Sequence, residues 1–297
     1  MTALELIHLA IPVSMGLIVL ALGMRCTPSE ALFLVREPGL LARSILSMNV
    51  LMPIAAGLLM AVTGVSEPVK IALIALAVSP VPPILPNKQL KLVTRDAYIY
   101  GLLVATSILS ILLVPLSLRL IGGPFSREVF VDPSVVARSV AISVLVPLAI
   151  GILARQMWPD AVERFSRVIG TSGDLTLVAG LVFVLFSGRH AFAALLGDGT
   201  LAVCIVLSLI GLLIGHWLGG RNEDDRTVLA LATASRHPGV AIAIAGAVFP
   251  GQKAIAVAVL LYMLVGVIAS VPYTRWRKRR HQRVIGVNPH EHPPLHR

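Results

Sequence analysis

Residues 79–96 read SPVPPILPNKQLKLVTRD, and this stretch decides the fold because it sits inside an otherwise apolar span. Pro80, Pro82, Pro83 and Pro86 cannot continue an α-helix, since each proline removes a backbone donor and clashes with the preceding turn. Backbone freed in this way is tolerated at membrane depth only where it is buried in protein or lines a wet cavity. The flanking halves, residues 68–79 and 87–95, would rise roughly 18 Å and 13 Å at about 1.5 Å per residue. Together they match a hydrocarbon thickness of about 30 Å, with the break near the middle.

A second stretch repeats the theme. Residues 232–251 read ATASRHPGVAIAIAGAVFPG, where His237-Pro238-Gly239 interrupts another apolar span. Arg236 falls ten residues after Arg226, a depth of roughly 15 Å from the edge of the span. Paired Gly/Pro-interrupted spans in corresponding halves are the sequence mark of an inverted-repeat transporter with its site at the midplane.

Working outward, the whole chain of 297 residues is 56% hydrophobic and 13% charged, with mean hydropathy +0.87. Soluble domains carry about 25% charged residues, so the expected fold is an all-α, polytopic membrane protein. Nine transmembrane helices are predicted: Leu6–Met24, Leu40–Val62, Pro68–Arg95, Tyr98–Leu120, Val135–Met157, Ile169–Gly188, Leu196–Leu218, Thr227–Phe249 and Ala254–Val271. The third and eighth are the broken pair. They lie five spans apart and therefore run in opposite directions. The connections are short, so residues 1–274 read as one transmembrane transporter domain. Residues 275–297 read as a basic, disordered tail.

Residues 1–24 have no basic leading segment and no small-residue cleavage site, and read as a retained first span rather than a signal peptide. On this layout 17 of the 25 Lys and Arg fall on the side of the C-terminus and 6 on the other. Basic residues gather on the cytoplasmic side. The expected setting is the inner, cytoplasmic membrane, with the N-terminus outside and the C-terminus cytoplasmic. The tail's RWRKRRHQR (275–283) suits anionic headgroups of membrane lipids, not nucleic acid. Cys26 and Cys204 are too few for a disulfide framework or a metal cluster. The sequence holds no HExxH, nucleophile elbow or Walker motif, so no enzyme is expected.

Three stretches, MGLIVLALGMRCTPSEALFLVREPGLLARSIL (15–46), AVSPVPPILPNKQLKLVTRD (77–96) and DRTVLALATASRHPGVAIAIAGAVF (225–249), resemble the bile acid:sodium symporter superfamily. That superfamily includes sodium-coupled carriers for bile acids and other organic anions, with arsenite efflux carriers as more distant relatives. The resemblance implies ten spans in two inverted sets of five, with the broken helices crossing at the substrate site. Here four spans precede the second set, so the usual first helix has no counterpart. The resemblance also implies a Glu and a Gln just before the second break, and those positions hold Ala232 and Arg236. An amide expected on the second span falls at Met48, with Asn49 adjacent. The first break keeps Asn87 but sets it between Pro86 and Lys88. Much of the sodium cage is therefore missing, which puts sodium coupling in question.

A charge at the bilayer centre is costly and marks a functional site by default. Arg236 and Lys88 are expected to act as built-in cations that replace bound sodium and face a small anionic solute. Arginine can grip a carboxylate through two parallel hydrogen bonds, whereas lysine is a point charge. Lys88 could instead snorkel to the surface, and Arg236 could pair with Asp174 or a backbone carbonyl. His237 titrates near neutral pH and would permit proton coupling, or it packs as a satisfied core histidine. Thr106, Ser107 and Ser110 stand where the resemblance places hydroxyl ligands, with back-bonding to their own helix as the alternative. Asn49 is a candidate pocket donor, and Pro238 and Gly239 complete the second break. No cofactor or resident metal is called for. The expected function is a secondary transporter of a small organic anion, against the alternatives of a sodium-independent channel or facilitator and a non-transporting sensor.

Overall fold

The structure is a computed structural model that describes residues 3–82, 96–122, 132–187, 189–196, 199–249 and 252–286. Every regular element among these residues is a helix. In chain order they are α1 (Ala3–Arg25), α2 (Pro38–Val62), α3 (Glu67–Val78), α4 (Asp96–Gly122), α5 (Pro133–Met157) and α6 (Pro159–Ser187). There follow α7 (Thr200–Leu218), α8 (Glu223–Ala234), α9 (Pro238–Val248), α10 (Lys253–Ala269) and α11 (Val271–Gly286). Short helical turns at Pro28–Ala31, Phe33–Arg36 and Arg189–Leu196 lie in the connections.

Six stretches among the described residues are long and apolar enough to cross a membrane: Pro38–Val62, Asp96–Leu120, Pro133–Met157, Thr200–Leu218, Glu223–Val248 and Ala254–Arg280. The chain is thus a multi-pass membrane protein. The other three expected spans are not among these six: they correspond to α1, whose apolar part is Pro12–Arg25, to α6, and to α3 with a second half, residues 83–95, that lies outside the described residues. Large apolar side chains stand outward on several of these helices, among them Leu58, Leu112, Ile150 and Val182. A water-soluble protein would hide so broad an apolar surface; lipid does not penalise it.

Prolines inside the helices leave a local signature. α2 widens to π-helical turns over Leu46–Leu51, just ahead of Pro53, and α5 does so over Ala141–Leu145, just ahead of Pro147. The Met52 N–H reaches back five residues to the Ser47 carbonyl, and the Val146 N–H to the Ala141 carbonyl. A proline ring clashes with the carbonyl four residues earlier, and a π-turn opens the ladder enough to admit it.

The helices fall into two packed groups. α1 lies along α5 and α6, and glycines allow the close approach. A Cβ built on Gly151 would stand 2.4 Å from the Leu20 carbonyl oxygen, and one on Gly173 would stand 2.9 Å from the Ile18 side chain. In the second group α3 packs on α9 and α10, and α7 packs on α8. The broken pair α8–α9 is innermost: 78% of its apolar window is buried inside the protein, against 28% for α5.

The segment expected to be an unstructured tail begins as helix. Residues 275–286 belong to α11, and 287–297 lie outside the described residues. Arg277 supplies the reason. Its side chain is buried, with Nε donating to the Thr227 hydroxyl (2.7 Å), Nη2 to the Glu223 carbonyl (2.7 Å) and Nη1 to the Glu223 carboxylate. These bonds dock α11 on the first turn of α8.

α7 meets α8 through Gly211, Gly215 and Gly219, spaced four apart and so on one face. A Cβ on Gly215 would lie 2.4 Å from the Leu229 carbonyl oxygen and 2.5 Å from the Ala230 Cα, with no flexible atom to yield. Gly215→Leu is expected to destabilise the protein by about 1–3 kcal/mol or more, read as a lower melting temperature in detergent. Gly246→Leu, at a site with nothing within 4 Å of the added carbon, should melt like wild type.

Candidate functional site

The first break forms because Pro80 drives the residue before it out of the helical region. α3 ends at Val78 and Ser79 is extended (φ −70°, ψ 157°), its hydroxyl turned back to donate to the Leu76 carbonyl at 2.8 Å. At the second break α8 ends at Ala234, and Ser235 is extended (φ −106°, ψ 136°). His237 then caps α9, its Nδ1 accepting the Val240 N–H at 3.3 Å, and Pro238 takes the first helical position. Proline is well placed there, where a missing N–H costs nothing. Because Nδ1 accepts, the ring proton of neutral His237 belongs on Nε2.

The two breaks touch. The His237 N–H donates to the Pro80 carbonyl (2.9 Å) and to the Ser79 hydroxyl (3.1 Å). Arg236, 2% exposed, donates from Nη1 to the Ser79 carbonyl (3.0 Å) and from Nη2 to the Met48 carbonyl (2.6 Å). The Tyr262 hydroxyl of α10 donates to the Ala234 carbonyl at 2.9 Å, and the Ser47 and Thr233 hydroxyls join at 2.6 Å. Four segments of the chain are thereby tied at one level.

The Met48 carbonyl is the informative partner. In an α-helix its donor would be the Met52 N–H, but the π-turn gives that group to Ser47. In the π register its donor would be residue 53, which is proline and has no N–H. The α2 ladder thus leaves this carbonyl without a donor, and a carbonyl so placed costs about 1–3 kcal/mol unless another group reaches it. Arg236 does. The Ser79 carbonyl stands just beyond the C-terminus of α3, where the helix dipole is negative and favours a cation. Half-helix C-termini and unwound carbonyls are the cation-holding elements of broken-helix transporters, and here two such carbonyls accept hydrogen bonds from the Arg236 guanidinium.

The other sequence candidates distribute around this centre. Asn49 is buried next to Met48, and its Oδ1 has no hydrogen-bond partner among the described residues. The Ser107 hydroxyl on α4 is likewise buried without one, as are Arg236 Nε and His237 Nε2. Thr106 and Ser110 bond to their own helix, donating to the Leu102 carbonyl (2.8 Å) and the Ser107 carbonyl (2.7 Å). Pro80 and Pro82 are buried at the break, and Gly239 sits under the His237 ring, where an added Cβ would be 3.2 Å from Cε1. Pro83, Pro86, Asn87 and Lys88 lie outside the described residues. Sequence reasoning missed Ser79, Thr233, Tyr262 and the Met48 carbonyl; Pro53 within an apolar span was the available signal.

Arg236→Met keeps the length of the side chain but removes both donors. We expect it to cost about 2–6 kcal/mol, the sum of two carbonyls left unpartnered. Pro53→Ala restores an N–H within reach of the Met48 carbonyl. In the Arg236→Met background it should recover about 1 kcal/mol, while in wild type it should recover nothing. A double-mutant cycle on denaturant midpoints measures this coupling; strict additivity would refute the shared-carbonyl account.

No curated protein matches the chain. The model of the sodium bile acid symporter family matches residues 12–194, which run from α1 through the first break into the helical turn after α6 and cover more than half of the chain. The match covers the first break, and the chain belongs to the sodium bile acid symporter family.

Proposed function

We propose that the protein is a secondary transporter for a small anionic solute, working by alternating access without sodium, with Arg236 as its resident cation. The carrying observation is the guanidinium on the Ser79 and Met48 carbonyls at the meeting point of the two breaks. In this reading the nine spans form two inverted sets, four then five, around the crossing of spans three and eight. The excess of basic residues supports an outside N-terminus and a cytoplasmic C-terminus in the cytoplasmic membrane.

The residues at the crossing do not fit a sodium ion. Ala232 carries no side-chain oxygen, and two main-chain oxygens that could face an ion already accept from Arg236. A guanidinium stays charged at any physiological pH and repels a second cation at this distance. It cannot dissociate, so no sodium gradient can be harvested through it. Coupling falls to exchange, uniport or protons. A second proton on His237 would go to Nδ1 and break the cap on the Val240 N–H, which argues against His237 as a carrier of that proton.

The solute's negative charge is matched by what remains of the site. Arg236 Nε and the His237 Nε2 proton are buried donors without a partner among the described residues, and the N-terminus of α9 begins beside them. A helix N-terminus favours an anion. Asn49, Ser107, Asn87 and Lys88 complete the proposed set, with Thr106 and Ser110 set back by their bonds to α4.

The test is uptake of labelled small organic anions into proteoliposomes, with an inward sodium gradient or with choline in its place. Uptake should be equal within about twofold in the two ions, and Arg236→Ala should abolish it. Uptake that requires sodium would overturn the resident-cation reading. Saturable binding with no flux would replace the transporter by a sensor.

A further inference from the structure

A second cluster of arginines lies away from the crossing, where α1 and α5 end and α6 begins. A cavity of about 560 Å³ opens there, and its charged lining is Arg25, Arg155, Arg167 and Glu163, over an apolar floor that includes Met24 and Val162. The volume is within the range of small-ligand sites, about 300–1,000 Å³. Three guanidinium groups share it with one carboxylate. Glu163 offsets little of this charge: it stands 3.9 Å from Arg167, and both side chains are more than three-quarters exposed, a setting in which ion pairs contribute little.

The arginines are held rather than splayed. Arg25 Nε donates to the Ser166 hydroxyl at 3.2 Å, with Ser166 itself buried, and Arg155 Nη1 donates to the Arg25 main-chain carbonyl. Arg25 and Arg155 are the basic residues of the last turns of α1 and α5, where one cation apiece satisfies the helix dipole. That role would be met with the two side chains apart. It does not account for their convergence with Arg167 of a third helix on one cavity, against mutual repulsion.

We propose that this cavity binds a phosphate group, and that the ligand is the headgroup of an anionic phospholipid. Guanidinium forks match phosphate oxygens in pairs, and each of Arg25 and Arg155 is anchored through a single nitrogen. The lipid source follows from the surroundings. Met157, Trp158 and Phe165, adjoining the cavity residues in sequence, are 64%, 59% and 56% exposed, and exposed aromatics mark the level of lipid headgroups. Met24 and Val162 give the ester and glycerol part an apolar surface. The site joins the ends of α1, α5 and α6, so an occupied site would brace that helix group.

The test uses the full chain purified in detergent and measured by native mass spectrometry with added phosphatidylglycerol or phosphatidylcholine. Phosphatidylglycerol should be retained at least about tenfold better. Arg155→Gln with Arg167→Gln should lower its retention by about tenfold or more, the loss expected when charge-assisted bonds are removed. Arg167→Gln alone, at an exposed side chain, serves if the double variant folds poorly, and Arg138→Gln at the opposite end of α5 should retain the lipid as wild type does. Equal retention of the two lipids, or unchanged retention in the double and Arg167 variants, overturns the proposal. Calorimetry with inorganic phosphate separates the sources. Binding of phosphate that displaces phosphatidylglycerol and is lost with the same arginines keeps the phosphate site but overturns the lipid assignment.

Discussion

The guanidinium of Arg236 lies between two main-chain carbonyls, Ser79 and Met48, and the arrangement of the surrounding helices depends on that pair of bonds. Three proline-driven defects converge there. Pro80 ends α3, Pro53 disrupts the ladder of α2, and Pro238 starts α9 after an extended step. Each defect frees backbone groups at a depth where water is scarce and an unmet polar group is costly. A single cation with a planar fork of donors reaches two of the freed carbonyls, while the His237 amide, the Ser79 hydroxyl and Tyr262 meet others. The two breaks therefore meet part of each other's hydrogen-bonding demand.

A resident cation and an exchangeable one differ in what they permit. A bound ion lowers the energy of the crossing while present and, by leaving, lets the crossing change; its gradient can then drive a cycle. A guanidinium attached to the chain stabilises the crossing at all times. The arginine ties α2 to both breaks, and α5 joins them through Val136 and Val140, which share a hydrophobic core with residues of α3, α9 and α10. The glycine contacts of α1 with α5 and α6 are close, and those of Gly23 and Gly151 are made to main-chain atoms.

Much of the fold was legible because proline and glycine punctuate it. The two breaks were read from PVPPILP and HPG, and the place of Arg236 at the second break, where its side chain is buried, from the same letters. What stayed hidden involves main-chain atoms. The Met48 carbonyl has no letter in the sequence, and only the conjunction of a π-turn with Pro53 makes it available. The hydroxyls of Thr106 and Ser110 were ambiguous between ligand and back-bond, and the structure gives them to their own helix. The early tail looked disordered on composition alone; docking of Arg277 on Glu223 and Thr227 is a tertiary effect that local charge does not reveal. Arg25 lies 130 residues before Arg155 in the chain, so the cavity it shares with Arg155 and Arg167 follows only from the packing of α1 with α5 and α6.

The most direct measurement is the melting temperature of the purified protein in sodium against choline at constant ionic strength. An ion that binds only the folded state stabilises it by about 2.7 kcal/mol at a hundredfold excess over its dissociation constant, a shift of about 4 °C for a chain of this size. With Arg236 holding the Ser79 and Met48 carbonyls, melting should be the same in both ions to within about a degree. A saturable rise of several degrees specific to sodium would show that an ion still binds the crossing, and would contradict the resident-cation account.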